Sequence, residues 1–330
     1  MKKFIFYLFG AVISICIFLG FLSALAFMTK DLNEDYKLVK TWGGEGEGPG
    51  KFIYPAGLKV YKDEVYVVDV NSHNIQVFDL EGNYKRKFGR EGEGLGEFKR
   101  PWNIYFNNDE LYVAAYENNR IDIFDPDGTY KRSFGSLGTG DGQMEGPSAL
   151  TIDANGNIIV ADFYNHRVVR HKPNGEFISA IGVADEVSAR LDRFNYPLDI
   201  VSSRDGKLVY VLDSGNERIK VYNTEGEYQF KWGGPFGYNT LITYFHWFPF
   251  EGWFSDPKSL AIDNKGQIYV GDASNKRIQL FDEAGTFITS FGATGADEFG
   301  TLGGIDVADD GSIFIVNQPT RTVQKWQYKP

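Results

Sequence analysis

Six segments of this sequence align on one another without a gap. They read VYVVDVNSHNIQVF from Val65, LYVAAYENNRIDIF from Leu111, IIVADFYNHRVVRH from Ile158, VYVLDSGNERIKVY from Val209, IYVGDASNKRIQLF from Ile268 and IFIVNQPTRTVQKW from Ile313. Their fifth residues, Asp69, Ala115, Asp162, Asp213, Asp272 and Asn317, stand 46, 47, 51, 59 and 45 residues apart. One such unit cannot bury its apolar face alone and must stack on its neighbours, and a period of roughly 45 residues suits a four-stranded blade.

Around each segment the layout repeats. A unit opens on Pro-x-x-aliphatic at Pro55, Pro101, Pro147, Pro197 and Pro257, with Leu302 in place of the sixth proline. A first strand, a turn and the aligned strand follow. A third strand then leads to a turn such as DLEGN, DPDGT or NTEGE, and a fourth ends in FG, IG or WG. The alternation has period two, so one face of each sheet meets the next blade. The sixth unit runs out after three strands, while YKLVKTWG (Tyr36 to Gly43) carries the fourth-strand pattern ahead of any first strand. Pairing it with Thr322 to Tyr328 closes the ring and leaves no open edge. The expected fold is therefore all-β, a six-bladed β-propeller closed by its N-terminal strand. The 38 glycines and the 16% of aromatic residues agree with many short strands and tight turns.

The Pro-x-Gly-(Ile/Leu) opening, the V-x-D-x-x-N-x-R-(Ile/Val) core and the FG-rich connector resemble the NHL-repeat family over about residues 36 to 330. That resemblance implies a disc with a central channel and a ligand bound on one rim. It selects no function, since propellers of this type include lyases, hydrolases and interaction platforms. Zinc lyases of the family carry His directly after the opening proline of several blades; here those positions are Ala56, Trp102, Ser148, Leu198 and Lys258.

Ahead of the repeats, Phe4 to Met28 carries no charge and is long enough to cross a hydrocarbon core as a helix. Its length favours a retained anchor over a cleaved signal, although Ala24-Leu25-Ala26 would suit a signal peptidase. Lys2 and Lys3 before it keep the N-terminus in the cytoplasm. The division expected is an anchor at 1–29, a linker at 30–35 and a propeller at 36–330 on the extracytoplasmic side, secreted if the signal is cleaved. A net charge of −10 argues against a nucleic-acid partner. The one cysteine, Cys16, lies in the apolar run, so a disulfide framework cannot exist in the domain.

The repeated Asp and Arg read as blade structure, with the carboxylates accepting from the backbone of the following turn and the arginines pairing with them. Gly-rich connectors such as GGEGEGPG precede strands rather than helices, which excludes a dinucleotide loop. The spacing from Asp213 to Asp272 exceeds the shortest by about 13 residues, and the excess lies in the connector from Trp232, which holds Tyr244, Phe245, His246, Trp247, Phe248, Phe250, Trp253 and Phe254. Such a loop is the candidate binding surface for a protein, peptide or glycan. Trp102, Asn103 and Asp199, from the openings of two blades, join the set. No cofactor is expected: a calcium ion at the channel mouth would find only Asn103 and Asp199. The enzyme alternative, a metal-assisted lyase or a lactonase-type hydrolase, would act there through those two residues with His246. A charged connector from Val183, VADEVSARLDRF, reads as a short helix flanking the same face.

Overall fold

The structure, a computed structural model, describes residues 34–234, 251–292 and 299–330. The anchor expected at 1–29 lies outside these residues, as do Tyr244 to Phe250 of the aromatic connector. Among the described residues no helix is long and apolar enough to cross a membrane.

The described residues form 24 strands in six antiparallel four-stranded sheets. The first strand of each blade (Pro55–Tyr61, Pro101–Asn107, Pro147–Ile152, Pro197–Ser202, Pro257–Ile262 and Leu302–Val307) contacts the first strands on either side, so the six form a closed ring around a channel. Each opening residue starts its strand, where a proline is tolerated. A register shift follows directly, as between Pro101 and Asn103 and between Pro197 and Asp199. This bulge re-aims the third residue of each blade.

The core lies between blades. Tyr66, Val68, Ile75 and Val77 of blade one pack on Ile104, Val113 and Phe124 of blade two, and Phe314, Val316 and Val323 of blade six pack on Val65, Val67 and Phe78. Closure follows the expected pairing. Tyr36–Gly43 lies antiparallel to Thr322–Tyr328, from Tyr36 opposite Tyr328 to Gly43 opposite Thr322, with one irregularity between Leu38 and Lys40.

A second contact recurs from blade to blade. The glycine in the last turn of one blade sits on the closing aromatic of the blade before it: Gly82 on Trp42, Gly128 on Phe88, Gly175 on Phe134 and Gly285 on Trp232. Gly285 has φ +80°, and a Cβ there would lie 2.7 Å from the Trp232 ring. Gly285→Ala is expected to cost about 2–4 kcal/mol, combining the left-handed backbone with overpacking. Gly156→Ala, with φ +79° but no atom nearer than 3.7 Å, isolates the backbone part at about 1 kcal/mol. Chemical denaturation of both variants checks the difference.

The connector from Val183 is not the short helix expected but a series of turns. The Arg218 guanidinium donates to Ala189 O at 2.7 Å and Arg190 O at 3.0 Å, and Lys220 Nζ donates to Leu191 O at 3.1 Å and to Arg193 O. Carbonyls that a helix would have used internally are thus held by blade four.

Candidate binding face at the channel mouth

The repeat carboxylates tie connectors to blades. Contrary to the expectation, their backbone partners lie upstream, in the connector that precedes the blade. Asp69 accepts from the Ile53 and Tyr54 amides at 3.0 and 2.8 Å, Asp162 from Glu145 at 2.7 Å, Asp213 from Asn195 at 2.7 Å and Asp272 from Ser255 at 2.7 Å. The following turn contributes side chains only, such as Asn165 and Asn216, each at 2.9 Å. Arg167, Arg218 and Arg277 pair with these carboxylates at 2.7–2.9 Å, as expected, and also donate to connector carbonyls.

Blade two departs from this plan. Its fifth residue is Ala115, and Arg120 pairs instead with Asp122 at 2.8 Å. Asp122 is fully buried and its second oxygen has no hydrogen-bond partner. Burial pushes its pKa up to about 6 against the pull of Arg120. The folded state therefore binds this proton more tightly than the unfolded chain. Its contribution to stability is complete below the ordinary value of 3.8 and is lost as pH rises through about 6. Arg86 and Arg132 hold Glu64 and Glu110 down at about 2, so those groups act in the opposite sense and at lower pH. Stability measured from pH 4 to 7 should fall more steeply in the wild type than in Asp122→Asn; parallel profiles would exclude this group as the source.

Locked connectors leave a cavity of about 450 Å³ at one mouth of the channel, lined in part by Tyr54, Trp102, Phe163, Tyr196, Asn103 and Asp199. Its rings belong to an arc along the rim of blades one to four. Tyr54 lies 6.3 Å from Trp102, Trp102 stacks on Tyr116 at 5.2 Å, Tyr116 meets Phe163 at 6.1 Å, and Phe163 meets Tyr196 at 4.9 Å. Tyr164 and Tyr196 remain 46% and 40% exposed, which leaves ring surface for a ligand. Sequence reading found Trp102 but missed the others. The signal was the residue before an opening proline (Tyr54, Tyr196) and those after the repeat's fifth position (Tyr116, Phe163, Tyr164), which occupy loops opening on one rim.

Asn103 and Asp199 meet as the sequence placed them: the Asn103 amide donates to Asp199 Oδ1 at 3.2 Å. Asp199 also accepts from the Ile200 and Leu260 amides at 2.9 and 2.7 Å. The carboxamide turns its N–H toward the carboxylate and its oxygen toward the Ile104 amide at 2.8 Å, an arrangement suited to hydrogen bonding rather than to a hard cation. Among the described residues no group of three or more His, Cys, Asp or Glu is placed to hold a metal. Burial raises Asp199 to about 6, opposed by Lys59 and the two amides.

Phe254 corrects the candidate set. It is 4% exposed and meets Phe281 edge-on at 5.6 Å in the core between blades four and five, so it cannot present a ring to a ligand. Trp253 is half-buried, and its carbonyl accepts from Gln279 Nε2 at 2.7 Å. His73 and His166, equivalent in two blades, each accept a backbone N–H of the next connector at Nδ1, from Arg100 and Tyr196, at 3.1 Å.

Residues 51–110 and 98–203 match a family described as a 6-bladed beta-propeller, and residues 254–281 match the NHL repeat. The chain is an NHL-repeat six-bladed β-propeller. Among curated relatives, Protein brain tumor of Drosophila melanogaster is 28% identical over 149 residues, 45% of this propeller chain and 12% of that protein. Peptidyl-glycine alpha-amidating monooxygenase A of Xenopus laevis is 29% identical over 176 residues, covering 52% and 18%. The match thus spans less than a fifth of either relative. Similar solved structures include virginiamycin B lyase from Staphylococcus aureus (TM-score 0.57, 12% identity, 88% of this chain and 99% of that one). A structural genomics protein from Bacteroides thetaiotaomicron has a TM-score of 0.67 at 13% identity, covering 88% and 75%. At such identities the likeness speaks for the fold.

Proposed function

We propose that this NHL propeller is a binding module that presents its connector face to a peptide, held by residues 4–28 on the outer side of a membrane. The observation that carries the reading is the arc of rings around the mouth cavity. Large rigid side chains, part-exposed and backed by one another, give contact area at little entropic cost and are typical binding anchors. The connector holding Tyr244, Phe245, His246, Trp247, Phe248 and Phe250 departs after Gly234 and returns at Glu251, shortly before Asp256 and Lys258 on the wall of the same cavity. These residues are proposed as part of the same binding surface. The similarity to an enzyme named for peptidyl-glycine favours a peptide over a glycan. The apolar run from Phe4 to Met28 supports the tether.

The test is a peptide array probed with the full-length protein in detergent, followed by affinities for wild type and the double variant Trp102→Ala/Tyr196→Ala. A loss of at least tenfold, roughly 1.4 kcal/mol or more, with the thermal transition retained is expected. Unchanged affinity would move the site away from the mouth. Resistance of the protein to alkaline carbonate extraction from membranes checks the tether, and release into the supernatant would refute it.

A further inference from the structure

Charge at the mouth cavity does not balance. Asp256 on its wall pairs with Lys258 at 2.6 Å. Deeper in the channel, Lys59 pairs with Asp306 at 3.2 Å. These two lysines face three carboxylates, and the third is Asp199. It is 6% exposed, lines the cavity and is held by two backbone amides and the Asn103 carboxamide, with the field of Lys59 reaching it from below. One negative charge is therefore left over at the floor of a cavity walled by aromatic rings.

A second observation concerns Ser259. This residue also lines the cavity and is 1% exposed, yet its Oγ has no hydrogen-bond partner. A buried hydroxyl without a partner costs free energy unless something else completes it. Other hydroxyls nearby are used: Ser214 Oγ donates to Pro257 O at 2.9 Å.

We propose that the cavity receives a primary ammonium group, such as a lysine side chain of the bound peptide. Its alkyl stem would lie along Trp102 and Tyr196, and its N–H donors would point to Asp199 and, once the Ser259 side chain turns off Gly271, to the Ser259 hydroxyl. A cation is favoured over aromatic faces, and more so when partly removed from water. A neutral alkyl group would leave both the charge of Asp199 and the Ser259 hydroxyl unanswered, and a carboxylate would meet a like charge. The inference rests on the binding reading above and gives it a ligand chemistry.

The experiment is an NMR titration of the full-length protein in detergent with n-butylammonium, n-butanol and butyrate, repeated with N-acetyl-lysine amide and N-acetyl-norleucine amide. The ammonium member of each set is expected to bind at least tenfold tighter than its neutral counterpart, with butyrate weakest. Asp199→Asn should bring the ammonium-to-alcohol ratio to within twofold of unity. Ser259→Ala, which removes an unpartnered hydroxyl and so leaves the fold intact, should weaken butylammonium several-fold and leave butanol unchanged. It carries the test if Asp199→Asn does not fold. Equal binding of butanol and butylammonium, or a preference that survives both substitutions, would overturn the inference. If no small probe binds while array peptides still bind through Trp102, the ammonium assignment fails alone. If no peptide binds either, the reading beneath it fails as well.

Discussion

Changing Asp213 to alanine is expected to lower the stability of the folded protein by about 3–5 kcal/mol, the range found when one member of a buried charge pair is removed. Asp213 is wholly buried and accepts from the Asn195 amide, the Asn216 carboxamide and Arg218 Nε at 2.7–2.9 Å, with Lys220 Nζ 3.5 Å away. Without it, the charges of Arg218 and Lys220 stay buried, answered only by connector carbonyls. Burial already lowers Lys220 to about 8, with Asp213 the main influence holding it up. Asp69→Ala serves as the comparison. Its carboxylate meets backbone amides and Ser72 Oγ at 2.6–3.0 Å. The residue at the arginine position of that blade is Asn74. That substitution should cost about 1–3 kcal/mol, the cost of unsatisfied buried donors. Urea unfolding of the two variants decides the matter. Equal losses would mean that the arginine pairs add nothing beyond the amide bonds, and that the blades hold their connectors by backbone contacts alone.

This contrast also shows where the sequence was readable. Period and alternation sufficed for the blade count, the six sheets and the pairing of Tyr36–Gly43 with Thr322–Tyr328, because apolar burial between blades repeats at fixed intervals. The acceptor role of the aspartates was legible as structural, but its direction was not. Asp69 and Asp213 bind amides 15–18 residues upstream, a distance no local turn rule spans. Asp122 was opaque for a related reason: it answers Arg120 from two residues further along the same strand once the fifth residue has become Ala115. At the mouth, Trp102, Asn103 and Asp199 could be placed because they share positions after opening prolines. Tyr54, Tyr116, Phe163 and Tyr196 come from four loops of two kinds and look like unrelated turn residues until the ring brings them to one rim. Phe254 erred the other way, an aromatic assigned to the irregular connector that belongs to the interblade core.

Deleting Tyr36–Gly43, with the residues on either side rejoined, is expected to abolish cooperative folding. The strand supplies the outer edge of blade six, and its side chains bridge to both neighbours. Tyr36 stacks on Phe291 of blade five at 4.2 Å, and Trp42 meets Phe314 of blade six and Phe78 of blade one at 6.0 and 6.1 Å. Withdrawing Tyr36, Leu38 and Trp42 forfeits on the order of 5 kcal/mol of apolar burial, counted at part value because these residues are half-buried. That is comparable with the whole stability of an ordinary domain. It also leaves Thr322–Tyr328 as an open strand with a row of unpaired backbone groups, a template for association with other chains. The deleted protein should elute as oligomers and show no single unfolding transition, whereas a synthetic peptide of the sequence YKLVKTWG, added in excess, should restore part of the monomer by taking the vacant edge. A monomer whose midpoint lies within a few degrees of the intact protein would mean that five complete blades and three strands hold the ring unaided, and that the closing strand serves only to position what precedes it.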